Sequence, residues 1–219
     1  MSFKFLRANF NGDPNIGLYG FATDSYCLLG LGTKKIEKIA KALKLNIKIA
    51  TMARTELVGI FAAGNRSGIV LPKIIEKDEV RNFKGLGINL LVLRAKETAL
   101  GNLILCNDNG CLISKKLKKF KRQIADCLDC EAEIGTVAGL EIVGSAARAS
   151  NIGCLCHRSA SEAELKAIEQ LLKVKVDIGT VSYGSPFIKA GIIVNSSGVV
   201  VSEQNTGPEL GRIEEVFGD

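Results

Sequence analysis

A short polar turn followed by three apolar residues recurs five times along the chain. It reads TDSY-CLL at 23–29, NRSG-IVL at 65–71, NDNG-CLI at 107–113, SNIG-CLC at 150–156 and NSSG-VVV at 195–201. The fourth turn residues, Tyr26, Gly68, Gly110, Gly153 and Gly198, are spaced by 42, 42, 43 and 45. A four-residue apolar stretch precedes each turn: FLRA at 5–8, IATM at 49–52, LLVL at 90–93, and IGTV at both 134–137 and 178–181. From the start of each stretch to its turn residue the distances are 21, 19, 20, 19 and 20. Two markers that keep one period identify an internal repeat. Five units of about 44 residues fill the 219-residue chain, with no room for a further domain, so residues 1–219 read as one domain.

Each unit has one coarse plan. The upstream stretch predicts a buried strand. A second apolar run follows, as at 58–63 or 191–194, and the polar turn then leads into a third strand. The N-x-x-G turn between two apolar runs predicts a hairpin in which glycine takes positive φ. An amphipathic helix closes most units. Thr33 can cap one whose Ile36, Ile39, Ala40 and Leu43 share a face. Ser161 and Glu164 form a capping box ahead of Leu165, Ile168, Leu171 and Leu172. Leu117, Phe120, Ile124 and Leu128 make a third stripe, and Pro208 suits the first turn of a helix carrying Leu210, Ile213 and Val216. A helix near 78–83 is short and weak. A unit of this size cannot bury its own apolar face, so the five must share a core. A closed ring, like a small propeller with helices outside, removes exposed ends better than an open stack.

Composition narrows the class. An apolar content of 47% with 24% charged residues excludes a disordered or fibrous chain. No apolar run approaches the ~20 residues that span a bilayer, and residues 1–10 do not read as a signal peptide. Seven cysteines (Cys27, Cys106, Cys111, Cys127, Cys130, Cys154 and Cys156) are an odd count, which argues for reduced thiols in a cytosol. Net charge is +6, and the six basic residues of ISKKLKKFKR at 113–122 account for all of it. Such a local excess suggests a partner-facing patch.

Candidate chemistry is sparse. Cys127 and Cys130 form a CxxC, and Cys154, Cys156 and His157 lie downstream, so the four ligands of a zinc site could be drawn from these five. The repeat favours packing instead, because Cys27, Cys111 and Cys154 share the register of Ile69 and Val199. His157, the only histidine, falls just past a strand end and reads as a surface or loop residue. The glycine-rich stretch 30–34 is too short for a phosphate loop. Lys115, Lys118, Lys119 and Arg122 belong to a helix face that could contact RNA phosphates or could simply be solvated. With 5% aromatics and no Trp, stacking platforms for single-stranded RNA are not evident. If the units form a ring, the five turns meet on one face. Asn65, Arg66, Ser67, Asn107, Asp108, Ser150, Asn151, Asn195 and Ser196 would then line a docking surface.

Several of these residues carry a resemblance. Gly64-Asn65-Arg66-Ser67-Gly68-Ile69-Val70-Leu71-Pro72 is similar to a signature of the translation initiation factor 6 family. Ala99 to Asn102 followed by Cys106-Asn107-Asp108 also resembles that family, as do 178–181, 25–28 and 214–217. The resemblance implies an α/β fold, the pentein, of five pseudo-symmetric ββαβ-type units in a closed propeller-like ring. It implies a cytoplasmic, monomeric, non-enzymatic factor without a cofactor, acting in translation initiation and large-subunit maturation. Such a factor binds the subunit-joining face of the large ribosomal subunit, near the sarcin–ricin loop and a ribosomal protein of the L14 family. It blocks the small subunit by occupancy until released by factors that include a GTPase. The end of the chain at Asp219, just past the last helix, suggests an archaeal type without a regulatory tail. Two rivals stand beside this reading. One is a pentein enzyme acting on guanidino groups, which would need His157 and a cysteine nucleophile, although no cysteine follows Cys156. The other is a general RNA-binding module using the basic segment.

Overall fold

The computed structural model describes residues 3–30 and 32–218. Leu31 of the glycine-rich stretch, Met1 and Ser2 of the N-terminal segment, and Asp219 lie outside the described residues. The fold is mixed α/β with five three-stranded sheets, consistent with five repeated units. The central strands are Cys27–Leu29, Gly68–Pro72, Gly110–Ser114, Gly153–His157 and Gly198–Ser202. They are almost wholly buried, which explains their unbroken apolar runs. Each pairs antiparallel with the strand before its turn, as Ile104–Cys106 does with Gly110–Ser114. On its other side it pairs in parallel with a strand reached through the long helix that follows it, as Gly110–Ser114 does with Glu131–Gly135. The first strand, Lys4–Ala8, has no preceding helix and instead pairs in parallel with the last central strand, Gly198–Ser202. The first and last strands of the described residues are thus joined in one sheet.

Two of the strands predicted at the upstream stretches, Lys4–Ala8 and Asn89–Leu93, lie where expected, three are shifted by two or three residues, and all five are mostly half-buried or exposed. The three shifted ones are Ile47–Ile49, Glu131–Gly135 and Lys175–Gly179. They are the outer strands of their sheets, with one face toward a long helix and one edge unpaired, so tertiary position overrides their apolar composition. The second apolar run is not one strand either. It opens as a single helical turn, Val58–Phe61, Leu100–Leu103, Val143–Ala146 or Ile188–Gly191, before a short strand. In the first unit the equivalent is a 3-10 turn, Ile16–Leu18.

The core sits between neighbouring units. Ile124 and Leu128 pack with Ala63 and Val70 of the unit before, and Ile168 and Leu172 with Leu105 and Leu112. Ile39 and Leu43 of the first unit pack with Ile193 and Val200 of the last. The five helical turns also touch in a cycle that returns from Ile188–Gly191 to Ile16–Leu18. Their glycines set the spacing: a Cβ on Gly59 would lie 2.1 Å from the carbonyl oxygen of Gly17, one on Gly101 2.1 Å from that of Gly59, and one on Gly144 2.3 Å from that of Gly101.

The long helices follow the predicted faces, with different ends. Ile36–Leu43 buries Ile39, Ala42 and Leu43, and Thr33, three residues ahead of the helix, accepts from the Lys35 amide without capping the helix. The basic stripe is a 3-10 segment, Lys115–Phe120, joined to a helix, Lys121–Leu128. Capping boxes close Glu162–Leu172 through Ser161 and Glu164, and Gly207–Phe217 through Thr206 and Glu209. The short helix Lys77–Lys84 is also boxed, by Glu76 and Glu79.

The turn glycines do not take positive φ. They are glycines because the next unit's helix presses on them. A Cβ on Gly153 would stand 2.0 Å from the Val216 carbonyl oxygen, and one on Gly68 2.2 Å from that of Cys127. Gly153→Ala is therefore predicted to cost about 1–3 kcal/mol, the usual range for overpacking. Gly211→Ala, in open space on the last helix, should gain up to ~1 kcal/mol. Urea unfolding of the two variants checks both signs.

Candidate docking surfaces

The chain presents two sets of loops, at opposite ends of the strands. At one end the five polar turns converge on a small cavity of about 20 Å³ lined by Thr23, Asn65, Asn107, Ser150 and Asn195 among others. These five first-position residues are 2–8% exposed, so they are buried within the molecule and do not line its surface as expected. Asn65 shows why. Its Nδ2 donates to the Asn107 carbonyl at 3.0 Å and to the Leu128 carbonyl at 2.7 Å, while Oδ1 accepts from the amides of Ser67 and Gly68. Asn107 repeats this toward Ser150 and Leu172, and Asn195 toward Thr23 and Leu43. Ser150 and Thr23 are too short to reach across, and their hydroxyls serve their own turns.

The second-position residues form a further layer. The Arg66 amide donates to Asp108 Oδ1, the Asp108 amide to Asn151 Oδ1, and the Ser196 amide to Asp24 Oδ1, each at 2.8–2.9 Å. Asn151 Nδ2 bridges Asp24 and Asp108 at 2.7 and 2.6 Å. Arg66 Nε lies 3.5 Å from Asp108, and its side chain is 63% exposed. Of the nine turn residues expected at a surface, Arg66 is thus the one fully exposed, while Ser67, Asp108, Asn151 and Ser196 are half-buried.

At the other end lie tight turns that sequence reasoning missed, closed by the bridges Met52↔Thr55, Val137↔Leu140 and Val181↔Ser185. The first two place two consecutive residues at positive φ, Ala53 and Arg54, and Ala138 and Gly139, and the third places three, Ser182, Tyr183 and Gly184. A helix-capping glutamate holds each turn. Glu164 accepts from the Ala138 and Gly139 amides and from the Thr136 hydroxyl. Glu79 does the same for Thr51, Ala53 and Arg54, and Glu209 for Thr180, Tyr183 and Gly184. The signal was present as threonine–glutamate pairs 28, 28 and 29 residues apart. Burial works to raise the Glu164 pKa. The amides of Gly139 and Ser161 and the hydroxyls of Thr136 and Ser161 outweigh it and hold the carboxyl down at about 2.

The basic segment belongs to this second end, because it follows the far end of the Gly110–Ser114 strand. Lys115, Lys118, Lys119 and Arg122 are exposed. Their neighbours Lys116 and Lys121 face Glu141 at 3.9 Å and Glu133 at 3.0 Å, and Arg122 has Asp126 at 3.9 Å. Tyr183, 74% exposed, and Phe187, 40% exposed, lie in or beside the turn at 181–185. The structure therefore separates the polar turns from the basic residues and does not bring them onto one face.

The cysteines pack. Cys27, Cys111 and Cys154 are fully buried on central strands, and burial pushes the thiols of Cys27 and Cys106 up to about 12. Among the described residues no three His, Cys, Asp or Glu side chains group as metal ligands would. His157 is the last residue of its strand and half-buried. Its Nδ1 accepts from the Ser159 amide, and its ring stands edge-on to Phe187 at 6.2 Å. No described hydrogen bond joins it to a cysteine. Among the described residues no helix is long and apolar enough to cross a membrane.

Polar side chains spent on neighbouring turns, and buried thiols such as those of Cys27 and Cys106 whose pKa burial raises, define a scaffold that presents fixed loops. The comparisons agree: the chain matches the eIF-6 family over residues 5–216 and belongs to it. It is 40% identical to translation initiation factor 6 of Methanocaldococcus jannaschii over 222 residues, and 38% identical to that of Pyrococcus abyssi over 221, each match covering 97% of both chains. At 37% it also resembles translation initiation factor 6 of Staphylothermus marinus over 219 residues, 96% of each chain. These relatives are named as factors, and the chain is not an enzyme.

Asn107→Ala removes the donor to the Ser150 carbonyl and the acceptor of the Asn109 and Gly110 amides, while the Leu172 carbonyl keeps Asn109 Nδ2 at 2.9 Å, and is predicted to cost ~2–3 kcal/mol. Arg66→Ala should stay within about 0.5 kcal/mol. Urea titration of both variants separates the buried first position from the exposed second. Because the folded Glu164 pKa lies below the ordinary 4.5, its contribution is present above pH 4.5 and is lost as pH falls toward about 2. Thermal unfolding across pH 2–6 should show the wild type losing its advantage over Glu164→Gln in that window.

Proposed function

We propose that the five units close as a pentein ring and that the protein is a ribosome anti-association factor acting in translation initiation. It docks on the subunit-joining face of the large ribosomal subunit and excludes the small subunit by occupancy. Family membership supports this reading, and so does a body whose polar groups hold its own loops in place. Steric exclusion requires a preformed surface and no chemistry. Its partners are the sarcin–ricin loop region of the ribosomal RNA and a ribosomal protein of the L14 family. Release involves other factors, including a GTPase. The protein works as a cytoplasmic monomer, with a further role in large-subunit maturation.

The docking end is the one bearing Lys115, Lys118, Lys119 and Arg122 together with Tyr183 and Phe187. The observation that carries this choice is the gathering of exposed cations and the most exposed aromatic at one end. Cations neutralise phosphates, and exposed aromatics supply the apolar contact of a protein partner. The polar turns at the opposite end have spent most of their groups on one another. Co-sedimentation with purified large subunits tests the assignment. Lys118→Glu/Lys119→Glu should weaken binding at least about tenfold, roughly 1.4 kcal/mol, and flatten its salt dependence, whereas Arg66→Glu should leave it unchanged. The reverse pattern places the interface on the polar turns, and no binding to large subunits by the wild type removes the function itself.

A further inference from the structure

Two cations stand at positions where the repeat carries none: Lys189 is buried, and Arg148 is half-buried with its Nε fully enclosed. Nine residues before the turn residue, the first four units have Gly17, Gly59, Gly101 and Gly144, and the fifth has Lys189. Five residues before it, the other units have Phe21, Ala63, Leu105 and Ile193, and the fourth has Arg148. Both side chains line one interior cavity of about 10 Å³, whose remaining wall is alanine, glycine, Ile104, Leu105 and Cys106. Lys189 is 4% exposed. Its ammonium has three donors, of which one reaches the Gly101 carbonyl at 2.5 Å, its only hydrogen bond among those described. Arg148 donates through Nη2 to the Ala22 carbonyl at 2.8 Å, while its Nε is buried with no hydrogen-bond partner.

The titratable groups facing these cations do not compensate them. Around Arg148 stand Cys106, Cys27, Cys154 and Tyr26. Burial pushes the Cys106, Cys27 and Tyr26 pKa values up, and the bond to Cys156 together with burial does so for Cys154, so all four are neutral. The carboxylate whose charge reaches Cys106 and Tyr26 is Asp108, and it is engaged by Arg66 and Asn151 at the turn end. No described ion pair includes Arg148 or Lys189.

We propose that the cavity between Arg148 and Lys189 binds one monatomic anion, chloride under cellular conditions. Buried charges are ordinarily paired, because removal from water costs several kcal/mol per ion. A water molecule could accept from both side chains but would leave two like charges in a low-dielectric interior. A single anion accepts from the free Nε–H and from the remaining ammonium protons, and it cancels the repulsion between the two cations. The volume admits one small atom and excludes phosphate, sulfate and carboxylates. Burial and the Arg148 charge hold the Lys189 amine down at about 7. Anion and proton therefore bind together, and anion affinity rises as pH falls through that value.

Crystals of the full chain grown with sodium bromide as the only halide test the proposal. Anomalous difference density is expected between Arg148 Nε and Lys189 Nζ. The melting temperature should rise saturably in chloride over gluconate at equal ionic strength, more at pH 6 than at pH 8, and Lys189→Met should abolish that difference. Bromide found only on the surface, or equal melting temperatures in chloride and gluconate, overturns it. If Lys189→Met does not fold, the wild-type density decides.

Discussion

The molecule depends on an asparagine amide wedged between units. Asn65, Asn107 and Asn195 each use all four of their hydrogen-bonding sites. Two donors go to carbonyls of the next unit, and the acceptor oxygen takes two amides of the residue's own turn. One of the two carbonyls is always at the end of a helix (Leu128, Leu172 or Leu43), where it has no intrahelical partner. The same side chain thus closes a hairpin, terminates a neighbouring helix and fixes the distance between two units. A fully satisfied amide in a dry site is costly to break, because either half left alone becomes a buried unpaired group.

The glycine contacts belong to the same close approach. At the fourth turn position a Cβ would stand 2.0–2.4 Å from a carbonyl oxygen of the next unit's helix, so only glycine fits, and this holds also at Gly153, whose turn has Ser150 in place of the asparagine. The first unit solves the problem differently. Tyr26 stands in the glycine position, packs with Phe83 of the next unit, and donates its hydroxyl to the Gly68 carbonyl. The helical turns repeat the logic with their own glycines against their own neighbours' carbonyls. A body assembled this way has loops whose positions are set by the units on both sides, which suits a surface recognised by shape.

Much of the plan was legible in the sequence, because the period carries packing constraints that composition does not obscure. The five turns, the hairpins and the apolar faces of Glu162–Leu172 and Gly207–Phe217 lie where the pattern placed them. Three outer strands were misplaced because IATM and IGTV are apolar at the ends of edge strands, where burial is incomplete. The helical turns were missed because four residues are too few to show a period. Asn65 and Asn107 were read as exposed, since asparagine in a turn ordinarily needs no partner beyond its own loop. What makes them structural is a helix end from another unit, which lies more than 60 residues away in the chain. The tight turns at the other end were equally hidden, although the threonine–glutamate spacing marks them. Lys189 and Arg148 were visible as departures from the repeat at positions that otherwise hold glycine or apolar residues.

Native-state hydrogen exchange tests the interlock most directly, because it reads each unit's opening separately. If the asparagine bridges bind the units into one cooperative body, the amides of Gly68, Gly110 and Gly198 should share a single opening free energy equal to that of global unfolding. Unit-by-unit exchange, with the turn amides of one unit opening while its neighbours stay protected, would contradict the account.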